Sequence, residues 1–176
     1  MLGLITPDAY LESICKIDIE ELEKQGVKTL LFDVDNTITT WNCPEIDADV
    51  INWFAELHKS SIKGCIISNN SAERLQGIAD ELGLFFEAKA KKPLPFGYKR
   101  AMNRLNSDQA GTVMVGDQLF TDVLGAGLAG IRSILLKPIS TLHEFKGTRI
   151  NRQMEKVVMK SVMKKMRKKQ QKLLNK

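Results

Sequence analysis

Four short clusters carry side chains able to do chemistry, and each follows a run of apolar residues. Asp33, Asp35, Asn36 and Thr37 come directly after KTLLF, and Ser68, Asn69 and Asn70 after GCII. Lys92 lies shortly after LFFE, and Asp117 follows TVMVG, with Asp122 five positions further on. Residues two positions apart share a face of an extended chain, so Asp33 and Asp35 can divide the work of nucleophile and acid/base. The same carboxylates can hold a magnesium ion. Ser68 and Asn69, where a strand opens into a helix, offer hydroxyl and backbone N–H groups suited to a phosphoryl oxygen. Lys92 can supply a fixed positive charge, and Asp117 with Asp122 completes an oxygen-rich set for a hard cation. Singly, each cluster has a plain structural reading: an exposed turn, a helix cap, a solvated lysine beside Lys89 and Lys91. In order, each just past a buried strand, they point to one site for metal-assisted phosphoryl transfer.

The elements that must position these residues are legible in the hydrophobic pattern. Buried strands are expected at Lys28–Val34, Gly64–Ser68, Leu84–Glu87, Thr112–Gly116 and Arg132–Leu136. Between them, Asp47–Lys59, Ala72–Leu82, Pro95–Leu105 and Phe120–Ala129 place apolar residues at helical spacing. Pro95 suits a helix start, and Gly83 and Gly130 suit helix ends. Strands alternating with helices predict an α/β fold whose parallel sheet is covered on both faces. Ligands in such folds sit at the carboxyl ends of the strands, where all four clusters fall.

DVDNT, SNN, KP and GDQLFTD, in that order, resemble the four motifs of the haloacid dehalogenase (HAD) phosphatase superfamily. The likeness is greater to its subclass IIIA, YqeG-like branch, with TPDAYLESI near the N-terminus, Trp41 and the stretch Thr148–Arg152 in support. The resemblance implies a Rossmann-like sheet in strand order 3-2-1-4-5. It implies Asp33 as nucleophile, Asp35 as general acid and then base, and Ser68 and Lys92 as holders of the phosphoryl group. Magnesium would be bound by Asp33, the main-chain carbonyl of Asp35 and Asp117, with Asp122 supporting. Some members of the branch are phosphatidylglycerophosphate phosphatases, so a lipid phosphate is the expected substrate. Another bulky or soluble phosphate, or an RNA- or ribosome-associated module that retains a phosphatase site, are the alternatives.

Spacing bears on the substrate. Thirty-four residues lie between Asp33 and Ser68, and Ser68 and Lys92 are 24 positions apart. Neither gap holds a separate cap domain, so the expected site is open, suited to a bulky substrate or to a lid supplied by an oligomeric partner.

Charge divides the chain. From Lys146 onward there are 12 Lys/Arg and one acid, Glu155, whereas residues 1–145 carry 14 basic and 20 acidic residues. The expected division is a catalytic domain over 1–148 and a basic amphipathic helix over 149–176. Its apolar stripe is Ile150, Met154, Val158, Val162 and Met166. Three readings of that helix stand: a segment attracted to an anionic membrane surface, a stripe packed on its own domain, or a binder of nucleic acid. The absence of an aromatic residue in the tail weighs against RNA. Three cysteines without a CxxC pair suit a reducing compartment. With no leader-like start and no membrane-length apolar run, the expectation is a cytoplasmic protein, peripheral at most on the inner membrane face. His58, His143, Cys43, Trp41, Trp53 and Phe54 read as structural residues.

Overall fold

A central strand of a parallel sheet is covered on both faces and must be apolar throughout. Thr29–Phe32 (β2) meets that demand from its second residue on: Leu30 and Phe32 face one hydrophobic cluster and Leu31 the other. The computed structural model describes residues 3–41, 43, 45–140, 154–155 and 157–166. The other strands are Ala9–Leu11 (β1), Lys63–Ile67 (β3), Phe85–Glu87 (β4), Thr112–Gly116 (β5) and Arg132–Leu136 (β6). All pair in parallel, in the order β1-β6-β5-β2-β3-β4. The five strands expected from the sequence thus take the order 3-2-1-4-5, and β1 adds an edge beside β6.

Helices Ile19–Lys24 (α1), Ala48–Lys59 (α2) and Ala72–Leu82 (α3) accompany one face. There Leu22, Trp53, Phe54, Leu57, Leu75, Ile78 and Leu82 surround Phe32. The Trp53 indole N–H donates to the Ile17 carbonyl at 3.1 Å, which makes this aromatic a core residue. Helices Phe96–Leu105 (α4) and Leu124–Ala129 (α5) cover the other face, around Leu31, Cys65, Ile67 and Met114. From β2 the chain runs to β3 across one face, and it later reaches β5, on the other side of β2, by way of α4. The strand order reverses at β2, and that is where such sheets open a crevice.

Local chemistry sets the ends of these helices. Asp47 accepts the Asp49 N–H at 2.8 Å as an N-cap. Gly83 and Gly130 end α3 and α5 in the left-handed conformation, with φ of 64° and 75°. The span expected as a helix, Phe120–Ala129, is helical throughout but does not start as an α-helix. Leu119–Val123 forms a π-helical turn before α5 begins, the kind of local over-widening that clusters at functional sites.

Residues 157–166 are helical. Val162 and Met166 are buried there against Ile5, Leu119, Val123 and Leu135, with Val158, Met159 and Met163 partly buried alongside. Lys160, Lys164 and Lys165 stay exposed. Fully burying two such side chains favours docking by about 1.5–3 kcal/mol each. Of the expected stripe, Met154 is 53% exposed. Ile150, His143 and the boundary expected between residues 148 and 149 lie outside the described residues. Among the described residues no helix is long and apolar enough to cross a membrane.

Candidate active site

The register of the sheet brings the clusters together. Phe32 pairs with Val115 on one side and with Ile66 on the other. The next residue, Asp33, donates its N–H to the Val115 carbonyl at 2.9 Å. Asp33 therefore leaves β2 beside Gly116 and Asp117 of the β5 end and close to Ser68 of the β3 end. Carboxylate oxygens of Asp33, Asp117 and Asp122, all buried, lie within 4.8 Å of one another. Lys92 Nζ bridges two of them, 2.7 Å from Asp33 Oδ1 and 2.7 Å from Asp122 Oδ1.

Lys92 reaches this depth because its backbone is clamped. The Asn69 side chain accepts the Lys92 N–H at 2.7 Å and donates to the Lys92 carbonyl at 3.1 Å. Lys89 and Lys91 take left-handed φ of 47° and 57°, which turns the chain inward between them. Asn69 was expected to bind phosphate, but its side chain is spent on Lys92, so any phosphate contact there falls to its main-chain N–H. Ser68 is buried, with its hydroxyl accepting the Asn70 N–H at 3.2 Å.

Asp35 stands apart from the buried cluster, at the mouth. Asn70 Nδ2 donates to its Oδ2 at 2.7 Å and Arg74 to its Oδ1 at 2.5 Å. β2 ends at Phe32, so the 33–35 stretch lies beyond the regular strand, and Asn36, directly after it, is left-handed at φ 62°. Arg74, the Asn69 clamp and Tyr98 are the site residues that the sequence reading missed. Tyr98 is fully buried, and its hydroxyl donates to the Thr121 carbonyl at 3.0 Å, inside the π turn.

The electrostatics follow from burial. Burial pushes the Asp33 carboxyl up to about 7, against the pull of Lys92 and with help from the Asp122 charge. Burial alone would depress the Lys92 ammonium, but Asp122 and Asp33 together hold it well above its ordinary value. A carboxyl whose folded pKa is raised binds its proton more tightly in the folded state, so its stabilising contribution is lost as pH rises. Metal-free protein is therefore expected to lose thermal stability between about pH 4 and about pH 7. Melting in chelator across that window checks this. A melting temperature that climbs instead would mean that Asp33 is ionised throughout.

Three carboxylates around one ammonium leave the cluster rich in negative charge, and buried charge is costly unless balanced. All the donors are hard oxygens. They fit a divalent cation of the magnesium or calcium class better than a thiophilic metal. Thr37 Oγ1 donates to Asp117 Oδ1 at 3.4 Å, and Asp122 Oδ2 accepts the Gln118 N–H at 3.1 Å. Gly116 is required here, because a Cβ on it would lie 2.4 Å from Asp122 Oδ2. Gly116→Ala should displace Asp122 from Lys92, lower activity about tenfold or more and cost about 1–3 kcal/mol. Urea melts and turnover of an aryl phosphate check it, and an unchanged pair of values would show that the loop yields without cost.

Comparison with known proteins identifies the family. Residues 40–130 match the profile of the haloacid dehalogenase-like hydrolases. Over 153 residues the chain is 36% identical to "Probable phosphatase YqeG" of Bacillus subtilis (strain 168), covering 87% of this chain and 88% of that protein. It is 23% identical over 171 residues to phosphatidylglycerophosphate phosphatase 1, chloroplastic/mitochondrial, of Arabidopsis thaliana, covering 89% of this chain and 47% of that protein. A solved structure of an uncharacterized protein from Listeria monocytogenes serotype 4b shares the fold. Its TM-score is 0.55 at 20% identity, over 68% of this chain and 85% of that one. The strand order and a likeness running nearly end to end lead to the same place: this chain belongs to the haloacid dehalogenase-like hydrolase family.

Proposed function

We propose that this chain is a magnesium-dependent phosphomonoesterase that acts through an aspartyl-phosphate on Asp33, with a lipid phosphate of the phosphatidylglycerophosphate type as substrate. The observation that carries the reading is the buried set of Asp33, Asp117 and Asp122 around the Lys92 ammonium, at the switch point of the sheet. An Asp33 carboxylate oxygen attacks phosphorus while the bond to the leaving oxygen breaks, and Asp35 gives that oxygen its proton. Asp35 then takes a proton from water, whose oxygen attacks the acyl phosphate and frees Asp33 and inorganic phosphate. Lys92, the Ser68 hydroxyl and the Asn69 main-chain N–H hold the phosphoryl oxygens. Magnesium, held by Asp33, the Asp35 carbonyl and Asp117, would supply positive charge against those same oxygens. Asp122 acts through Lys92 and the Gln118 N–H.

Three features support the lipid substrate. The likeness to the Arabidopsis protein is one. Only a turn region and α2 separate β2 from β3, and only α3 separates β3 from β4, so among the described residues no separate domain is inserted at the mouth. Leu94 and Phe96, just past Lys92, are 46% and 59% exposed. A peripheral position on the cytoplasmic membrane face, with the exposed tail lysines toward anionic lipid, completes the proposal.

A substrate panel tests it: phosphatidylglycerophosphate in anionic vesicles, a soluble aryl phosphate and a 5′-phosphorylated RNA, each with magnesium or excess chelator. Magnesium-dependent release, fastest from the lipid, is expected. Full activity in chelator would defeat the metal assignment. Salt-sensitive RNA binding without vesicle binding would favour the nucleic-acid reading of the tail.

A further inference from the structure

Glu155 is the sole acid in the basic segment from Lys146 onward, and it is buried, with 4% exposure. Its carboxylate accepts the Leu119 N–H at 2.6 Å and the Phe120 N–H at 3.4 Å. Those amides, beginning two residues past Asp117, open the π turn that carries Asp122. First-turn N–H groups have no partner within their own helix, and a carboxylate there both satisfies them and meets the positive end of the turn. The neighbouring Gln118 N–H is taken by Asp122 itself. Carboxylates thus secure three successive amides of the metal-binding loop, and one of those carboxylates comes from the tail. Val162 and Met166, about two and three turns beyond Glu155, pack on Leu119 and Val123 of the same turn.

We propose that Glu155 is a positioning residue: through it the C-terminal helix latches the Asp117–Asp122 loop and sets the affinity of the site for a divalent cation. The proposal rests on the metal reading given above. Without the latch, the Leu119 and Phe120 amides turn to water and the π turn loosens. Asp122 then loses the frame from which it holds Lys92 against Asp33. The tail is in this sense part of the active-site scaffold, and undocking it lowers metal occupancy.

Two measurements on the full chain test this. In metal-free protein, amide hydrogen exchange at Leu119 and Phe120 should be about tenfold or more faster in Glu155→Ala. Calorimetric titration with magnesium should show about tenfold weaker binding, the scale on which outer-shell partners act. Glu155→Gln, whose amide oxygen still accepts hydrogen bonds, should show both effects at about threefold, and it decides the matter if Glu155→Ala does not fold. Val162→Ala removes packing but no acceptor, so it should lower the melting temperature while changing exchange and affinity less than Glu155→Ala does. Glu155 variants within about twofold of wild type in both readouts would overturn the latch, as would equal effects from Val162→Ala. Wild-type protein that binds no magnesium would defeat the metal reading, while the exchange data would still decide the latch.

Discussion

Asp33→Asn is expected to abolish phosphate release, by at least about 10³-fold, while leaving the fold intact. An amide is not a nucleophile toward phosphorus and brings no charge for a metal, so both functions of the residue go at once. Stability should survive for a reason visible in the site. Burial already pushes the Asp33 carboxyl up to about 7, so a neutral side chain of the same shape suits this position. Lys92 keeps its partner Asp122, 2.7 Å away. Circular dichroism and thermal melting in chelator should match wild type or exceed it near neutral pH. Turnover within tenfold of wild type would remove Asp33 from its assigned role.

Lys92→Met should act on stability as well as on turnover. Wild-type Lys92 is 3% exposed in its side chain and lies 2.7 Å from both Asp33 and Asp122, so its removal leaves two buried carboxylates facing each other. Breaking a buried ion pair by deleting one partner typically costs about 3–5 kcal/mol. Protonation of Asp33 can relieve part of that cost, so the loss should be larger at pH 8 than at pH 5. Magnesium should restore stability in part, since it answers the same charges, but it should not restore turnover, because no ammonium then faces the phosphoryl oxygens. Urea melts at the two pH values, with and without magnesium, separate these effects. A variant as stable as wild type in chelator at pH 8 would show that the ammonium is not what balances the cluster.

How much of this was legible depended on whether a residue's partner lies in its own segment. Phe32 and its neighbours announce a buried strand by composition alone, and Gly83 and Gly130 mark helix ends by a backbone need that glycine meets best. Four chemical clusters were legible because each follows such a strand. Arg74 was not, since an arginine on an amphipathic helix looks solvated until its distant partner, Asp35, is placed. Asn69 gave no warning that its amide would clamp a backbone 23 residues on. Strand β1 is a three-residue edge strand with no fully buried residue, so no apolar run marks it. The π turn depends on acceptors in the loop and in the tail, neither of which its own spacing encodes. The tail stripe showed that something must cover Val162 and Met166, but nothing in its period says whether that is lipid, nucleic acid or the chain's own Leu119 and Val123.

The parallel edge strand carries a consequence for how the protein is made. Ala9 pairs with Ile134, and the Asp8 carboxylate accepts the Ser133 N–H at 3.0 Å. On the ribosome, β1 emerges first but waits for nearly the whole domain before its partner exists. The strand that leads to Asp33 waits too: Thr29 pairs with Lys63 early, but its other neighbour, Thr112, is synthesised much later. Pairing over such sequence separations is slow, because the loop must close before any contact rewards it. A nascent chain released before β5 therefore holds Asp33 on an open, half-covered strand, with neither Asp117 nor Asp122 to complete a cation site. Competence for chemistry arrives late and nearly all at once, when β5 docks beside β2 and β6 then closes onto β1.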